Sequence, residues 1–302
     1  MKKLYFTGGN IMKNGGFFKS NWAYLIWFLF YFSIAIMTVY AFAQNVIVSI
    51  LITLLIYGVS IVFALSPLGE AIARIQEGAK PLQTQQDKDY LLPIFEEVYN
   101  DVLNITPSIS KNIKIYITES MSVNAFALGS NTIAVTRGAL YTFSADELKG
   151  ILSHEFGHMV NGDTKALLIK LVGNGFFSLI VFIFRLFTSL LQAISNALSS
   201  KNIVIAIISF ILFLTRLIID VSIFLFILIG DMIIALNSRY SELLADEYAH
   251  IIGFGEELKN ALYVISKLEM PAKLTLTERL KASHPYTTAR IGKLETLEAE
   301  TA

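Results

Sequence analysis

The 302-residue chain contains no cysteine. Disulfides, thiolate metal sites and cysteine nucleophiles are therefore excluded, and any metal must be held by His, Asp or Glu. Histidine is itself scarce, at four residues, so few ligand sets are available. Charge is low as well: Asp, Glu, Lys and Arg make up 16% of the chain, against about 25% in a soluble domain. Because 24 Lys+Arg cancel 24 Asp+Glu, no basic block remains as a footprint for nucleic acid, and that class of partner is excluded. What is abundant is apolar. Hydrophobic residues reach 54% and aromatics 12%, too much for a disordered chain or for one compact water-soluble domain.

The longest gap in charge runs from Ser20 to Gly69. A single helix of that length would measure roughly 75 Å, against a hydrocarbon core of about 30 Å, so the run must fold back on itself. Gln44-Asn45 is the natural turn, giving spans Trp22–Ala43 and Val46–Leu65 with Trp22, Tyr24 and Trp27 suited to one interface. Ala41-Phe42-Ala43 resembles a signal cleavage box, but the apolar stretch is too long for a signal core and a second span follows at once, so the hairpin is read as uncleaved. Lys2, Lys3, Lys13 and Lys19 precede it and Arg74 and Lys80 follow. The positive-inside bias then predicts that the N-terminus and everything after Gly69 are cytoplasmic.

A second apolar region, Ala166 to about Leu236, breaks near Ser195–Asn202 and predicts two more spans. It is less clean, with Lys170, Arg185, Arg216, Asp220 and Asp231 within or beside it. Arg216 and Asp220 share a helix face and Arg185 could meet Asp220 across the hairpin. A structural pair, or a shallow hairpin lying at the interface, is favoured over a charged pathway because charges near span ends can snorkel.

The intervening composition is that of a globular domain. Leu91, Leu92, Phe95, Val98, Tyr99, Val102 and Leu103 recur at helical spacing in Asp87–Asn104. Ile113–Thr118 alternates like a strand, and Val123–Leu128 and Thr132–Thr136 flank Gly129-Ser130-Asn131 as a hairpin. Ser144-Ala145-Asp146-Glu147 is a capping box that opens a helix with an apolar stripe of Leu148, Ile151, Leu152, Phe156 and Met159, ended by Asn161-Gly162.

That helix contains His154-Glu155-Phe156-Gly157-His158. Two histidines four apart project from one face, where both imidazoles can bind a single Zn²⁺ while the intervening Glu reaches its water. A catalytic zinc needs a third protein ligand and an open fourth position. His250, His284 or a carboxylate could supply it; Glu242 and Asp246 share one helical face, although such pairs are usually solvated. Ligands of one metal lie on one side of a membrane, so the two spans expected between His158 and Glu242 are compatible with a shared site. His250 lies about 80° round the helix from Glu242 at ~3.6 residues per turn, and is read as a plain helix residue.

Taken in order, Asn124-Ala125-Phe126-Ala127, the HEFGH segment with Asn161-Gly162-Asp163 after it, Ser238-Arg239-x-x-Glu242-x-x-Ala245-Asp246, and His284-Pro285 with Arg290 downstream resemble one family. It is the HtpX-type integral-membrane zinc metalloproteases, gluzincins more distantly related to CAAX prenyl proteases, which have more spans than this chain supplies. The resemblance implies His154, His158 and Glu242 as ligands of one Zn²⁺ per chain, Glu155 as catalytic base and Asp246 as a group orienting a ligand His. It also implies an active site facing the cytoplasm of a prokaryotic cell, in its inner membrane, that degrades misfolded or damaged membrane proteins as part of quality control. His284 is the expected oxyanion donor beside the metal. Asn124, Ala125 and Phe126, in an edge strand Asn124–Leu128, are the expected substrate-binding residues, since an extended peptide can add there by backbone hydrogen bonds.

The fold expected is α+β, mainly α: an integral-membrane zincin-like catalytic domain with two transmembrane helical hairpins and a small β-sheet. Its parts are a basic tail 1–21, a hairpin 22–66, a first protease segment 67–165, a second hairpin 166–236 and a second protease segment 237–302. The competing readings are a transport component or a silent metal-binding scaffold; the Glu between the histidines and the lack of an inverted repeat speak against them.

Overall fold

The computed structural model describes residues 21–170, 175–199, 203–268 and 287–301. Helices α1 (Trp22–Ala43) and α2 (Val46–Ala64) form the first hairpin. Gln44 takes the left-handed conformation that ends α1, and Asn45 starts α2 by accepting the Val48 amide at 3.1 Å. Aromatic rings zip the pair, with Phe28 and Phe32 edge-on to Tyr57 at 5.1 and 5.5 Å. The outer faces stay bare: Ile47, Leu55 and Val62 are about 70% exposed, as 70, 68 and 72%. A shell of that kind suits lipid, and both helices are long and apolar enough to cross a bilayer.

Ser66 caps α3 (Pro67–Gln76) by accepting from the Gly69 amide, with Pro67 at its first position. Next come β1 (Ala79–Pro81), α4 (Gln85–Ile105), β2 (Lys114–Thr118), β3 (Ala125–Leu128), β4 (Thr132–Thr136) and α5 (Arg137–Thr142). The sheet order is β1-β2-β4-β3. The expected hairpin is β3–β4, antiparallel with Ala125 opposite Val135, while β2 pairs with β4 in parallel, Lys114 opposite Thr132. Strand β1, three residues pairing antiparallel with β2, carries no alternating pattern that could announce it.

Helix α6 (Ala145–Asn161) begins with both halves of the Ser144/Glu147 capping box in place and ends at Gly162 (φ 81°). Its apolar stripe enters the core against α4, where Phe95, Tyr99 and Phe156 stack at 5.4 to 5.8 Å. Helix α7 (Asp163–Leu168) follows directly.

Helix α8 (Gly175–Ser199) packs on α9 (Ile203–Ile251), and Arg185 meets Asp220 across them at 3.0 Å, with Arg216 at 3.6 Å on the same carboxylate. Helix α9 has 49 residues, about 74 Å at ~1.5 Å each, so the second half of the second apolar region and the Glu242 segment are one rod. That rod lies against α1, where a Cβ on Gly230 would sit 2.6 Å from the Trp27 ring. Finally, α10 (Gly255–Leu268) crosses α6 so closely that a Cβ on Gly150 would fall 2.2 Å from the Leu258 amide. Helix α11 (Thr287–Thr301) covers α10 through Ile291 and Leu294.

Candidate metal centre

Three elements bring the site together. Helix α6 presents His154 and His158 one turn apart with Glu155 between them; His154 and Glu155 are buried and His158 is partly buried. Helix α9 supplies Glu242 and, one turn on, Asp246. Gly157 sets the distance between these helices. A Cβ there would lie 2.8 Å from Ala245 Cα, so a side chain would force the rods apart. Gly157→Val is accordingly expected to cost about 1–3 kcal/mol, read as a lowered Tm together with weakened metal binding. A variant that matched the parent in both would show that the contact does not matter.

The donor atoms of His154, His158 and Glu242 all lie within 4.8 Å of one another. His154 Nε2 stands 3.2 Å from His158 Nε2, and the Glu242 carboxylate is 3.3 Å from the first and 3.5 Å from the second. The other nitrogen of each ring is taken: His154 Nδ1 meets Asp246 at 2.8 Å and His158 Nδ1 meets Asp163 at 2.9 Å. With Nδ1–H donated to a carboxylate in both rings, two Nε2 lone pairs and a carboxylate point at one spot. That combination repels itself unless a cation sits there, and a carboxylate behind each ligand imidazole is the usual support of a metal-bound His. The donor set therefore fits a metal ion.

The surrounding carboxylates favour positive charge at this spot, carried by the imidazole rings themselves when no cation is bound. Burial and the Arg290 charge act to lower His154, but Asp246 and Glu242 outweigh them and leave it above its ordinary value. His158, also opposed by burial, is drawn well above its ordinary value by Asp163 and Glu242. Burial raises Glu155, with the two histidines offsetting part of the rise, so its carboxylate is a readier proton acceptor than an exposed one. Burial would raise Asp246 too, yet its bonds to His154 and Arg290 bring it down to about 2. Its ionised form thus contributes stability that is present above the ordinary 3.8 and is lost as pH falls toward 2.

Two partners in this cluster carry no local signal. Arg290, from α11, grips Asp246 with both Nε (2.9 Å) and Nη2 (2.7 Å) and reaches Glu242 with Nη1 at 3.1 Å. It lies 136 residues from His154, and only its place in the downstream segment of the family pattern marks it beforehand. Asp163 reaches back to His158 because Gly162 reverses the chain, and Ser241 of α9 donates to the same carboxylate. In the sequence Asn161-Gly162 signals a helix end and Asp163 stands only in the family pattern, with no role attached. His250 is not among the converging donors of the described residues. His284 lies outside the described residues. Ala125 and Phe126 open β3, with Asn124 just before it; the strand is an edge of the sheet and packs beside α6.

The sequence profile of peptidase family M48 matches residues 90–298. A protein named Protease HtpX homolog from Bacteroides fragilis (strain YCH46) is 32% identical over 136 residues, 43% of this chain and 40% of that protein. Protease HtpX from Shewanella sp. (strain ANA-3) is 28% identical over 200 residues, 61% of this chain and 67% of that protein. The match thus spans less than half the length of the Bacteroides relative and about two thirds of the Shewanella one. Among solved structures, the crystal structure of S. mikatae Ste24p aligns with a TM-score of 0.48 and 19% identity, covering 87% of this chain and 61% of that one. With the family profile spanning both the HEFGH helix and the helix that carries Glu242, this chain belongs to peptidase family M48.

Proposed function

We propose that this chain is a membrane-embedded zinc endopeptidase that hydrolyses misfolded or damaged membrane proteins at the cytoplasmic face of a prokaryotic inner membrane. The observation that carries the reading is the convergence of two imidazole nitrogens and one carboxylate, each imidazole backed by its own Asp. Two nitrogens and one oxygen from protein, with a position left over, is the ligand set of a catalytic zinc rather than a structural one. Bound there, zinc would supply Lewis acidity toward the scissile carbonyl and make a water acidic near neutral pH.

The chain's own groups do the rest. Glu155, buried and raised, accepts a proton from the attacking water and hands it to the leaving amine. Asp246 and Asp163 hold the two imidazoles in one tautomer and orientation, and Arg290 holds Asp246 and Glu242 in turn. An extended substrate adds to β3 through backbone hydrogen bonds, with Asn124, Ala125 and Phe126 as its contacts, so unfolded segments are chosen by extension more than by side chain. His284 is the proposed oxyanion donor. The bare faces of α1 and α2 keep this machinery at the bilayer surface, where membrane-protein segments emerge.

One experiment tests activity and orientation together. In sealed inside-out vesicles, an unfolded polypeptide added outside should be cleaved, a membrane-impermeant chelator should stop cleavage, and zinc should restore it. Cleavage seen only after detergent lysis would reverse the orientation. No zinc-dependent cleavage under either condition would remove the peptidase reading.

A further inference from the structure

The buried carboxylate of Glu70 is far in sequence from every group described above and has an elaborate set of partners. Glu70 is 3% exposed. It belongs to α3, which begins three residues after the first membrane hairpin ends at Ala64. Its oxygens accept from the Ser130 amide at 3.2 Å and the Asn131 amide at 3.2 Å, in the β3–β4 turn, and from the Thr132 hydroxyl at 2.6 Å, at the start of β4. Arg74, one helical turn on, lies 3.6 Å from the same carboxylate, donates to Thr132 at 3.1 Å and rests over the Tyr116 ring of β2. The fit is tight. Gly129 is in the left-handed region at φ 59°, and a Cβ there would stand 2.6 Å from Glu70 Oε2.

The same turn is gripped from its other side. Thr164 of α7 donates to the Gly129 carbonyl at 2.6 Å, one residue after the Asp163 that holds His158. Ala73 of α3 and Leu168 of α7 bury Leu128, the last residue of β3, with Phe126 packed alongside. The edge strand is therefore seated between two elements that adjoin the membrane segments. Packing on α6 holds the face of the strand, and these two contacts hold its turn end.

We infer that Glu70 is a positioning residue for substrate: by clamping the β3–β4 turn to the foot of the first membrane hairpin, with Thr164 as the opposing clamp, it sets β3 at the register from which a bound peptide meets the metal centre. The inference rests on the peptidase reading for its functional half; the clamp itself is a statement about this chain alone. A peptide held by strand addition feels the register of the strand at every hydrogen bond. Loosening the turn therefore weakens binding of an extended substrate without touching Glu155 or the metal ligands.

Glu70→Ala, in the full-length zinc-loaded protein in detergent, is expected to raise KM for an unfolded polypeptide about tenfold with kcat within about twofold. Zinc content should be unchanged. Hydrogen–deuterium exchange should quicken at Ala125–Leu128 while the α6 amides keep their protection. Glu70→Gln keeps an oxygen for Thr132 but turns an NH₂ toward the Ser130 amide, and should fall between parent and Glu70→Ala. Thr164→Ala should shift KM and exchange the same way, which covers the case in which Glu70→Ala does not fold. Unchanged exchange at β3 in a folded variant would overturn the clamp. Faster exchange with unchanged KM, or a fall in kcat alone, would overturn the link to substrate. A parent protein that cleaves nothing while exchange responds as described would leave the clamp standing and reject the peptidase reading.

Discussion

Glu155→Gln is expected to keep its metal and lose about 10³-fold in kcat, the scale of a missing general base. The substitution is nearly isosteric and the site is closed, so packing around α6 is preserved. Glu155 is not one of the three donors that converge, and nothing in the ligand geometry depends on it. What disappears is the carboxylate that burial has made a stronger base, leaving no group between the histidines to accept the proton of the attacking water. Metal analysis alongside a cleavage assay checks both halves. Undiminished cleavage would sink the mechanism, and a loss of metal would mean that Glu155 itself belongs to the ligand set.

Glu242→Ala should do the reverse, lowering metal affinity by more than about a hundredfold, beyond what loss of a supporting carboxylate costs. The carboxylate stands 3.3 and 3.5 Å from the two Nε2 atoms, and its removal leaves two imidazoles with no third donor. Arg290, 3.1 Å from the same carboxylate, would then bring its positive charge to the site with one anion fewer to balance it, a second penalty on cation binding. The measurement is zinc retained after dialysis against a weak chelator, with circular dichroism to verify that α6 and α9 are intact. Stoichiometric zinc in a folded variant would transfer the ligand role to another residue.

Much of this protein was legible because its signals are local. A capping box acts within one helical turn, and it set the start of α6 at Ala145. Absence of charge over a whole segment announced α1 and α2, and a polar Gln44-Asn45 step marked the reversal between them. The i,i+4 spacing of His154 and His158 follows from helix pitch alone. Strand β1 escaped because three residues, Ala79-Lys80-Pro81, are too short to show a period, and the parallel β2–β4 pairing escaped because each strand looks the same whichever neighbour it takes. Gly150 and Gly157 read as ordinary helical glycines until the neighbouring backbones are seen pressing on them.

By itself, then, the order of residues determined which first two segments are long and apolar enough to cross a membrane, which helix carries the histidines, and that nitrogen and carboxylate ligands alone were available. Those properties depend on chemistry and on the pitch of a single element. Only the tertiary structure decided that Asp163 and Asp246 each stand behind a different imidazole, that Arg290 locks Asp246 and Glu242 from the far end of the chain, and that Glu70 holds the edge strand. Contacts of that range follow from close packing of several helices at once, and no repeat or spacing within one element encodes them.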